Sequence, residues 1–262
     1  MPSSAKGIAY PIYITMGEPA GIGPEVAVAA FRHFNGQVGR YPLRLIGDPA
    51  VFYGCGIEDG APLIATQPLS SRYEYGKPDS ANAPAVIDAI KRSVEMAMDG
   101  VATAVVTAPI NKAVLNAAGF AFPGHTEFLA HLTGARRAVM MLASDKLRVV
   151  PLTIHMPIAK VPDAISKQAV FETGEIILTA LRRDFGLLNP RLAVAGLNPH
   201  AGEDGVLGKE DESVIAPAIA ALKARGFNVR GPLSADTLFH DEARKTYDAA
   251  LCMYHDQALI PI

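Results

Sequence analysis

Three histidines follow three apolar segments of the chain, and their side-chain type suggests a metal site. His155, His200 and His255 each come shortly after a run of residues typical of a buried strand. Imidazole is a common ligand of zinc and related divalent ions, and three such ligands leave one coordination position free for substrate or water. One histidine of this kind is more simply explained as a capping or hydrogen-bonded residue, whereas three at equivalent positions favour a metal. The apolar runs are residues 147–152, 192–195 and 249–254.

In an open α/β sheet, ligands bind at the carboxyl ends of the parallel strands. The gaps between the histidines match no local metal-binding motif, so a shared cation requires that the strands converge in the fold. A second subunit could also supply one of the three ligands.

Two aspartates are the acidic residues nearest to these predicted strand-end histidines. Asp236 and Asp256 could orient a metal ligand, accept a proton or hold a substrate ammonium group. Asp236 would also suit an ordinary turn, whereas Asp256 directly follows His255 at the end of a predicted strand. Lys112 lies in a predicted strand-to-helix loop, where it could bind an anion or simply be solvated.

An anion site is predicted at His125 and Thr126, which precede the apolar-periodic residues 128–132. Backbone N–H groups and the dipole at a helix start can hold a phosphate, although an ordinary N-cap explains the same residues. The glycines of residues 17–25 suggest a dinucleotide loop, but the third glycine is missing and Glu25 places a carboxylate where a pyrophosphate would bind. A tight strand-to-helix turn is the better interpretation.

Strands and helices alternate along the chain with short connections, which predicts an α/β fold with a largely parallel sheet covered by helices on both faces. Residues 54–82 are rich in proline, glycine and serine and predict a loop. The predicted strands are residues 8–15, 43–47, 101–107, 138–142, 147–152, 192–195, 229–232 and 249–254, and the main predicted helices are residues 26–34, 83–98, 164–185 and 213–225.

Composition excludes several classes of function. The 262 residues are 50% hydrophobic, which allows a substantial core, and a net charge of -2 without a basic cluster argues against nucleic-acid binding. No apolar run is long enough to span a membrane and no signal peptide is recognisable, so we expect a cytoplasmic protein with Cys55 and Cys252 as free thiols. The apolar end of the sequence predicts that a further segment follows Ile262.

Six segments in register resemble one enzyme family, the 4-hydroxythreonine-4-phosphate dehydrogenases (PdxA family) of vitamin B6 biosynthesis. Each segment is weakly specific alone, but together they are highly specific. Glu18 departs from the family's usual aspartate, and Ile154 stands where a hydroxyl residue is expected. The segments are GEPAGIGPE, TAPINK, FPGHTEFLA, LNPHAGE, GPLSADT and YHDQALIPI.

The resemblance implies the two-domain fold of the isocitrate and isopropylmalate dehydrogenases, with mostly parallel sheets and helices on both faces. It implies a first domain over residues 1–122, whose C-terminal complement would lie beyond Ile262, and a second domain over residues 123–262 with the metal site and the dimer interface. It further implies a homodimer whose active site lies at the subunit interface.

The resemblance also assigns roles to site residues. His155, His200 and His255 would bind a divalent metal (Zn, Mg or Co), with His255 reaching the partner's site. His125 and Thr126 would hold the substrate phosphate. Apart from the resemblance, residue type and position make Asp236 and Asp256 candidates for orienting a ligand or binding the substrate amine, and Lys112 a candidate for proton or carboxylate handling; these three are the candidate catalytic residues.

The implied reaction oxidises the secondary alcohol of 4-phosphooxy-L-threonine with NAD or NADP to 2-amino-3-oxo-4-phosphooxybutanoate. This product loses CO2 to give 3-amino-2-oxopropyl phosphate. The family's nucleotide-binding residues would lie beyond Ile262, so no cofactor-binding residue can be assigned.

Three other functions fit part of the pattern. A dehydrogenase of D-threonate or D-erythronate 4-phosphate shares the motifs. A zinc hydrolase shares the ligand set, and would act without nucleotide through a metal-bound water near Asp256. A non-enzymatic phosphate-binding module would explain His125 and Thr126 but would give the three strand-end histidines no purpose.

Overall fold

The computed structural model describes residues 9–262, which divide into two compact units. The first unit ends at Ala138 and the second begins at Val139. The sequence placed the boundary earlier, after residue 122. The difference arises because Phe128 packs on Ile90 and Val94 in one hydrophobic cluster of the first unit. The predicted anion-binding residues therefore belong to the first unit.

The first unit contains a five-stranded sheet in the order β2–β3–β1–β5, in which β4 also pairs with β3, on the edge opposite β1. All pairs are parallel except the one between β2 and β3. The loop predicted over residues 54–82 is wrong at β4, because a three-residue strand is too short to show a hydrophobic period. The strands are β1 (Ile12–Thr15), β2 (Gln37–Val38), β3 (Tyr41–Gly47), β4 (Leu63–Ala65) and β5 (Ala104–Val106).

Five helices accompany this sheet in the described part of the unit. The longest covers the predicted residues 83–98 and buries Val86, Ala89, Ile90 and Val94, which recur at helical spacing on one face. Gly100 follows it with a φ of 72°, a conformation that favours glycine. The helices are α1 (Gly23–His33), α2 (Pro49–Gly54), α3 (Ala83–Met98), α4 (Lys112–Ala117) and α5 (His125–Thr133).

The second unit contains another five-stranded sheet, in the order β6–β7–β10–β8–β9. Four of its strands are parallel, and β6 is an antiparallel edge strand. The strand predicted over residues 138–142 is wrong for residues 138–141, since only the short β6 pairs there. The strands are β6 (Leu142–Ala143), β7 (Arg148–Pro151), β8 (Arg191–Ala195), β9 (Asn228–Leu233) and β10 (Ala249–Cys252).

Helices cover both faces of this second sheet, as predicted. One hydrophobic cluster includes Ile177 and Leu222, and a separate cluster includes Leu238 and Ala258. The helix predicted from residue 164 is interrupted, because Ser166 accepts a hydrogen bond from the Ala169 N–H and caps a new helix. The helices are α6 (Val161–Ala164), α7 (Lys167–Arg183), α8 (Ala216–Ala224), α9 (Ala235–Leu238), α10 (Asp241–Arg244) and α11 (His255–Leu259).

A π-helical turn at Asp211–Ile215 leads into α8, so the predicted helix over residues 213–225 is regular only from Ala216. Across residues 9–262, no helix has the combination of length and apolar composition needed to cross a bilayer.

Candidate active site

The three strand-end histidines follow three adjacent strands of the second sheet. Strand β10 pairs in parallel with β7 on one side and with β8 on the other. His155 follows β7, His255 follows β10 and His200 follows β8. Because the strands are parallel, their carboxyl ends meet at one edge of the sheet. We call His155, His200 and His255 the histidine edge.

Two of the three rings lie next to each other, and the third faces a carboxylate. The ring centroids of His155 and His255 are 5.8 Å apart. The Nε2 atom of His200 lies 3.7 Å from Oδ2 of Asp236. Among residues 9–262, no group of three His, Cys, Asp or Glu side chains is arranged to hold a metal ion. A shared cation at the histidine edge therefore stays a prediction.

In His255 and His200, a neighbouring carboxylate determines which ring nitrogen is left free to bind a metal. Oδ1 of Asp256 lies 2.8 Å from Nδ1 of His255, and Oε1 of Glu203 lies 3.1 Å from Nδ1 of His200. An ionised carboxylate only accepts hydrogen bonds, so Nδ1 carries the proton in the neutral ring and Nε2 keeps its lone pair. Metal-binding histidines are commonly oriented in this way. The imidazole nitrogens of the histidine edge are therefore chemically suited to bind a divalent cation.

Glu203 was not among the predicted site residues. The hydrogen bond that His200 donates to Glu203 raises the pKa of His200, and the negative charges of Glu203 and Asp236 raise it further. A hydrogen bond from the Ser234 hydroxyl, 2.5 Å away, lowers the pKa of Asp236, and the charge of His200 adds to this effect. The histidine edge is thus bordered by ionised carboxylates, which favour cations.

The turns that carry two of these histidines have strained backbones. His155 has a φ of 49° and His200 a φ of 51°, in the left-handed region that residues other than glycine rarely adopt. The His200 turn is held by the buried Asp211, whose carboxylate accepts hydrogen bonds from the N–H groups of Leu197 at 2.8 Å and Asn198 at 3.1 Å. Strain of this kind persists where surrounding contacts impose it, and it is common at functional sites.

Three cavities open beside the histidine edge, and Tyr254 lines two of them. One of about 60 Å³ is lined by His155 and His255, and another of about 270 Å³ is lined by His200 and Asp236. The third, of about 580 Å³, is lined by His200, Glu203 and Asp211 and has the size of sites that hold small molecules.

In the first unit, the predicted anion-binding residues cluster at the start of α5. We call Lys112, His125 and Thr126 the anion corner. Nζ of Lys112 lies 3.5 Å from the point that a Cβ on Gly124 would occupy, and Oε2 of Glu127 lies 3.7 Å from the same point. Lys112 begins α4, where the Asn111 side chain accepts a hydrogen bond from the Val114 N–H.

The electrostatics of the anion corner favour a neutral histidine beside the positively charged Lys112. Burial lowers the pKa of His125, and the charge of Lys112 lowers it further. Its Nε2 atom is buried and has no hydrogen-bond partner within the described residues. A neutral imidazole with an unpaired nitrogen, together with the N–H groups of a helix start, is suited to hold a phosphate.

The glycine-rich segment after β1 forms a tight turn. A Cβ at Gly17 would lie 2.5 Å from the Pro109 carbonyl oxygen, and a Cβ at Gly23 would lie 2.9 Å from that of Met16. Oε1 of Glu18 accepts a hydrogen bond from the Ala20 N–H, and burial raises the pKa of this carboxyl group. The glycines thus allow close backbone packing, which fits the tight turn preferred over a dinucleotide loop.

A family model described as "Pyridoxal phosphate biosynthetic protein PdxA" matches residues 51–262. The chain belongs to the PdxA family. The resemblance found in the six sequence segments is thereby confirmed. A PdxA relative, the 4-hydroxythreonine-4-phosphate dehydrogenase of Paracoccus denitrificans (strain Pd 1222), is 49% identical over 97% of this chain and 82% of its own length.

Solved structures confirm the fold class. A 4-hydroxythreonine-4-phosphate dehydrogenase from Burkholderia phymatum is 36% identical with a TM-score of 0.86, covering 97% of this chain and 83% of its own. A terephthalate 1,2-cis-dihydrodiol dehydrogenase from Burkholderia xenovorans LB400 is 28% identical with a TM-score of 0.73, covering 97% and 82%. The PdxA fold thus also occurs in a dehydrogenase named for a different alcohol.

Proposed function

We propose that this PdxA-family chain is a metal-dependent dehydrogenase that oxidises the secondary alcohol of 4-phosphooxy-L-threonine with NAD or NADP. The product, 2-amino-3-oxo-4-phosphooxybutanoate, loses CO2 to give 3-amino-2-oxopropyl phosphate. The proposal depends on one observation, the 49% identity over 97% of the chain with a relative named for this activity. The chemistry of the histidine edge and of the anion corner supports it.

The anion corner would bind the substrate phosphate. Lys112 would supply a positive charge, and the helix start at His125 and Thr126 would supply N–H donors. The neutral His125 would contribute the nitrogen that lacks a partner in the described residues. Because burial and the charge of Lys112 disfavour protonation of His125, one ammonium group and one neutral ring would face the phosphate.

The histidine edge would bind a divalent metal ion (Zn, Mg or Co) through Nε2 atoms of His155, His200 and His255. When bound, such an ion lowers the pKa of a substrate hydroxyl and stabilises negative charge on its oxygen. In a homodimer in which His255 serves the partner's site, as the resemblance implies, no chain needs three ligands in coordinating positions by itself. Within one chain, however, the ring of His155 lies beside that of His255, whereas His200 faces Asp236.

Asp236 and Asp256 would have different roles. Asp256 would orient His255 through its 2.8 Å contact with Nδ1. Asp236 has a lowered pKa, which suits a carboxylate that stays ionised and holds the substrate ammonium better than it suits a proton acceptor near neutral pH. Both residues would therefore act chiefly through their negative charge.

The experiment is a comparison of reduced-nucleotide formation by the purified protein with three substrates, 4-phosphooxy-L-threonine, D-threonate 4-phosphate and D-erythronate 4-phosphate. Each is tested with NAD and with NADP, before and after treatment with a chelator, and after metal is returned. We expect the fastest turnover with 4-phosphooxy-L-threonine, loss of activity after chelation and recovery with added metal.

Faster turnover of a four-carbon sugar acid phosphate would replace the substrate but keep the reaction type. Phosphoester or other hydrolysis without any nucleotide would contradict the dehydrogenase and favour the zinc hydrolase. Phosphate binding without turnover of any kind would favour the non-enzymatic module.

A further inference from the structure

The side chain of Gln257 connects the ends of two strands that carry predicted metal ligands. Gln257 is buried, with 8% of its surface exposed. Its Oε1 accepts a hydrogen bond from the Met253 N–H at 2.6 Å, just after β10. Its Nε2 donates to the Gly196 carbonyl at 2.7 Å, just after β8. One primary amide therefore joins the start of the His255 turn to the start of the His200 turn.

Neighbouring hydrogen bonds extend this connection across the sheet. The Thr153 hydroxyl, after β7, donates to the Met253 carbonyl at 2.8 Å. The Gly196 N–H donates to the Leu233 carbonyl at the end of β9, also at 2.8 Å. We call these bonds of Thr153, Met253, Gln257, Gly196 and Leu233 the edge clamp. It ties the carboxyl ends of four parallel strands just before His155, His255, His200 and Asp236.

We infer that Gln257 is a positioning residue for the histidine edge: its amide holds both the His200 turn and the His255 turn in place at the sheet edge, so that each histidine is presented to its metal ion in a fixed position, which sets metal affinity. The inference rests on the proposed metal-binding role of these histidines. A metal ion needs its ligands held in a narrow geometry, and groups that support ligands from behind commonly change affinity when removed.

The chemistry of the bridge requires an amide. Its acceptor faces an N–H group and its donor faces a carbonyl, so neither a carboxylate nor an apolar side chain can make both bonds. Removing the amide leaves the buried Met253 N–H and Gly196 carbonyl without these partners. The His200 turn and the His255 turn can then move independently of each other.

The test variant is Gln257→Met, which keeps a similar length but makes neither bond. Binding is measured by titrating the metal-free protein with Co²⁺ and following the visible absorption bands, which report the ligands and their geometry. We expect Co²⁺ affinity to fall by roughly 10- to 100-fold, the range for losing a group that supports a ligand. The shape of the absorption bands should change as well.

The matched control is Leu181→Ala, a fully buried core truncation in α7 of the same unit. It should lower the melting temperature but leave Co²⁺ affinity and the absorption bands unchanged, which separates positioning from general stability. Thr153→Val removes one bond of the edge clamp and serves as the test if Gln257→Met does not fold. We expect Thr153→Val to weaken Co²⁺ binding less than the loss of the amide does.

Wild-type affinity and bands in folded Gln257→Met would overturn the positioning role while leaving the proposed function intact. If Thr153→Val has to be used instead, wild-type Co²⁺ affinity and absorption bands in that variant would likewise overturn the positioning role. If the wild-type protein binds no Co²⁺ at all, the metal dependence of the proposed function is wrong and the inference falls with it.

Discussion

His125 in the first unit and His200 in the second differ in the direction of their pKa shifts. Burial and then the charge of Lys112 lower the pKa of His125, whereas a hydrogen bond and then the charge of Glu203 raise the pKa of His200. The same side chain thus stands beside a cation in one unit and beside carboxylates in the other. The comparison teaches that neighbours decide whether an imidazole site suits an anion or a cation.

The two regions also differ in how the chain builds them. Lys112, His125 and Thr126 lie close together along the sequence, on consecutive helices α4 and α5. The histidine edge instead takes one residue from each of three strand ends that are distant in sequence. A local substitution should therefore have a local effect in the anion corner, and a broader one at the histidine edge.

The substitution with the largest expected effect on the contrast between the two regions is His200→Ala. We expect loss of metal binding and of turnover, by more than the roughly 10- to 100-fold that removal of a supporting group costs, because a proposed ligand itself is lost. Metal content by mass spectrometry and reduced-nucleotide formation would measure both. Full activity of the metal-stripped variant would refute the role of His200.

The control for this experiment is His240→Asn in the same unit. His240 caps α10 by accepting a hydrogen bond from the Ala243 N–H, and asparagine can cap in its place. The substitution removes an imidazole away from the histidine edge, so metal content and turnover should stay at the wild-type level.

A smaller effect is expected for Lys112→Met in the anion corner. Losing a charged hydrogen bond to phosphate costs about 2 kcal/mol, which corresponds to a rise in KM of roughly thirtyfold. Metal affinity should not change, since the histidine edge is untouched. Steady-state kinetics would measure KM, with Lys91→Met on the exposed side of α3 as the control. An unchanged KM would show that Lys112 is a solvated lysine.

The smallest effects concern the two histidine pKa values, measured by NMR titration of the metal-free protein. Lys112→Met should raise the pKa of His125, because the ammonium group disfavours a protonated ring. Glu203→Gln should lower the pKa of His200 towards its usual value of 6.5, because the carboxylate favours a protonated ring. Shifts in the same direction for both histidines would remove the contrast between the two regions.

Periodicity in the sequence was sufficient to predict the longer helices and the apolar central strands. The helix over residues 83–98 matches α3, and the apolar run of residues 192–195 lies within β8. The short strands β2 and β4 were missed and β6 was misplaced, because two or three residues show no period and acquire their structure only by pairing.

The site was only partly predictable for a similar reason. Residue type and position after a strand indicated His155, His200 and His255, and the helix start indicated His125. Glu203 could have been found from its spacing of three residues after His200. Asp211 and Gln257 act through hydrogen bonds to backbone groups distant in sequence, which no local pattern reveals.

The position of β10 has a consequence for synthesis of the protein on the ribosome. β10 is the last strand of the second sheet to emerge, yet it lies between β7 and β8. A nascent chain that stops before Ala249 thus has β7 and β8 without the neighbour that joins them. Assembly of the complete second sheet must therefore await translation of this central strand.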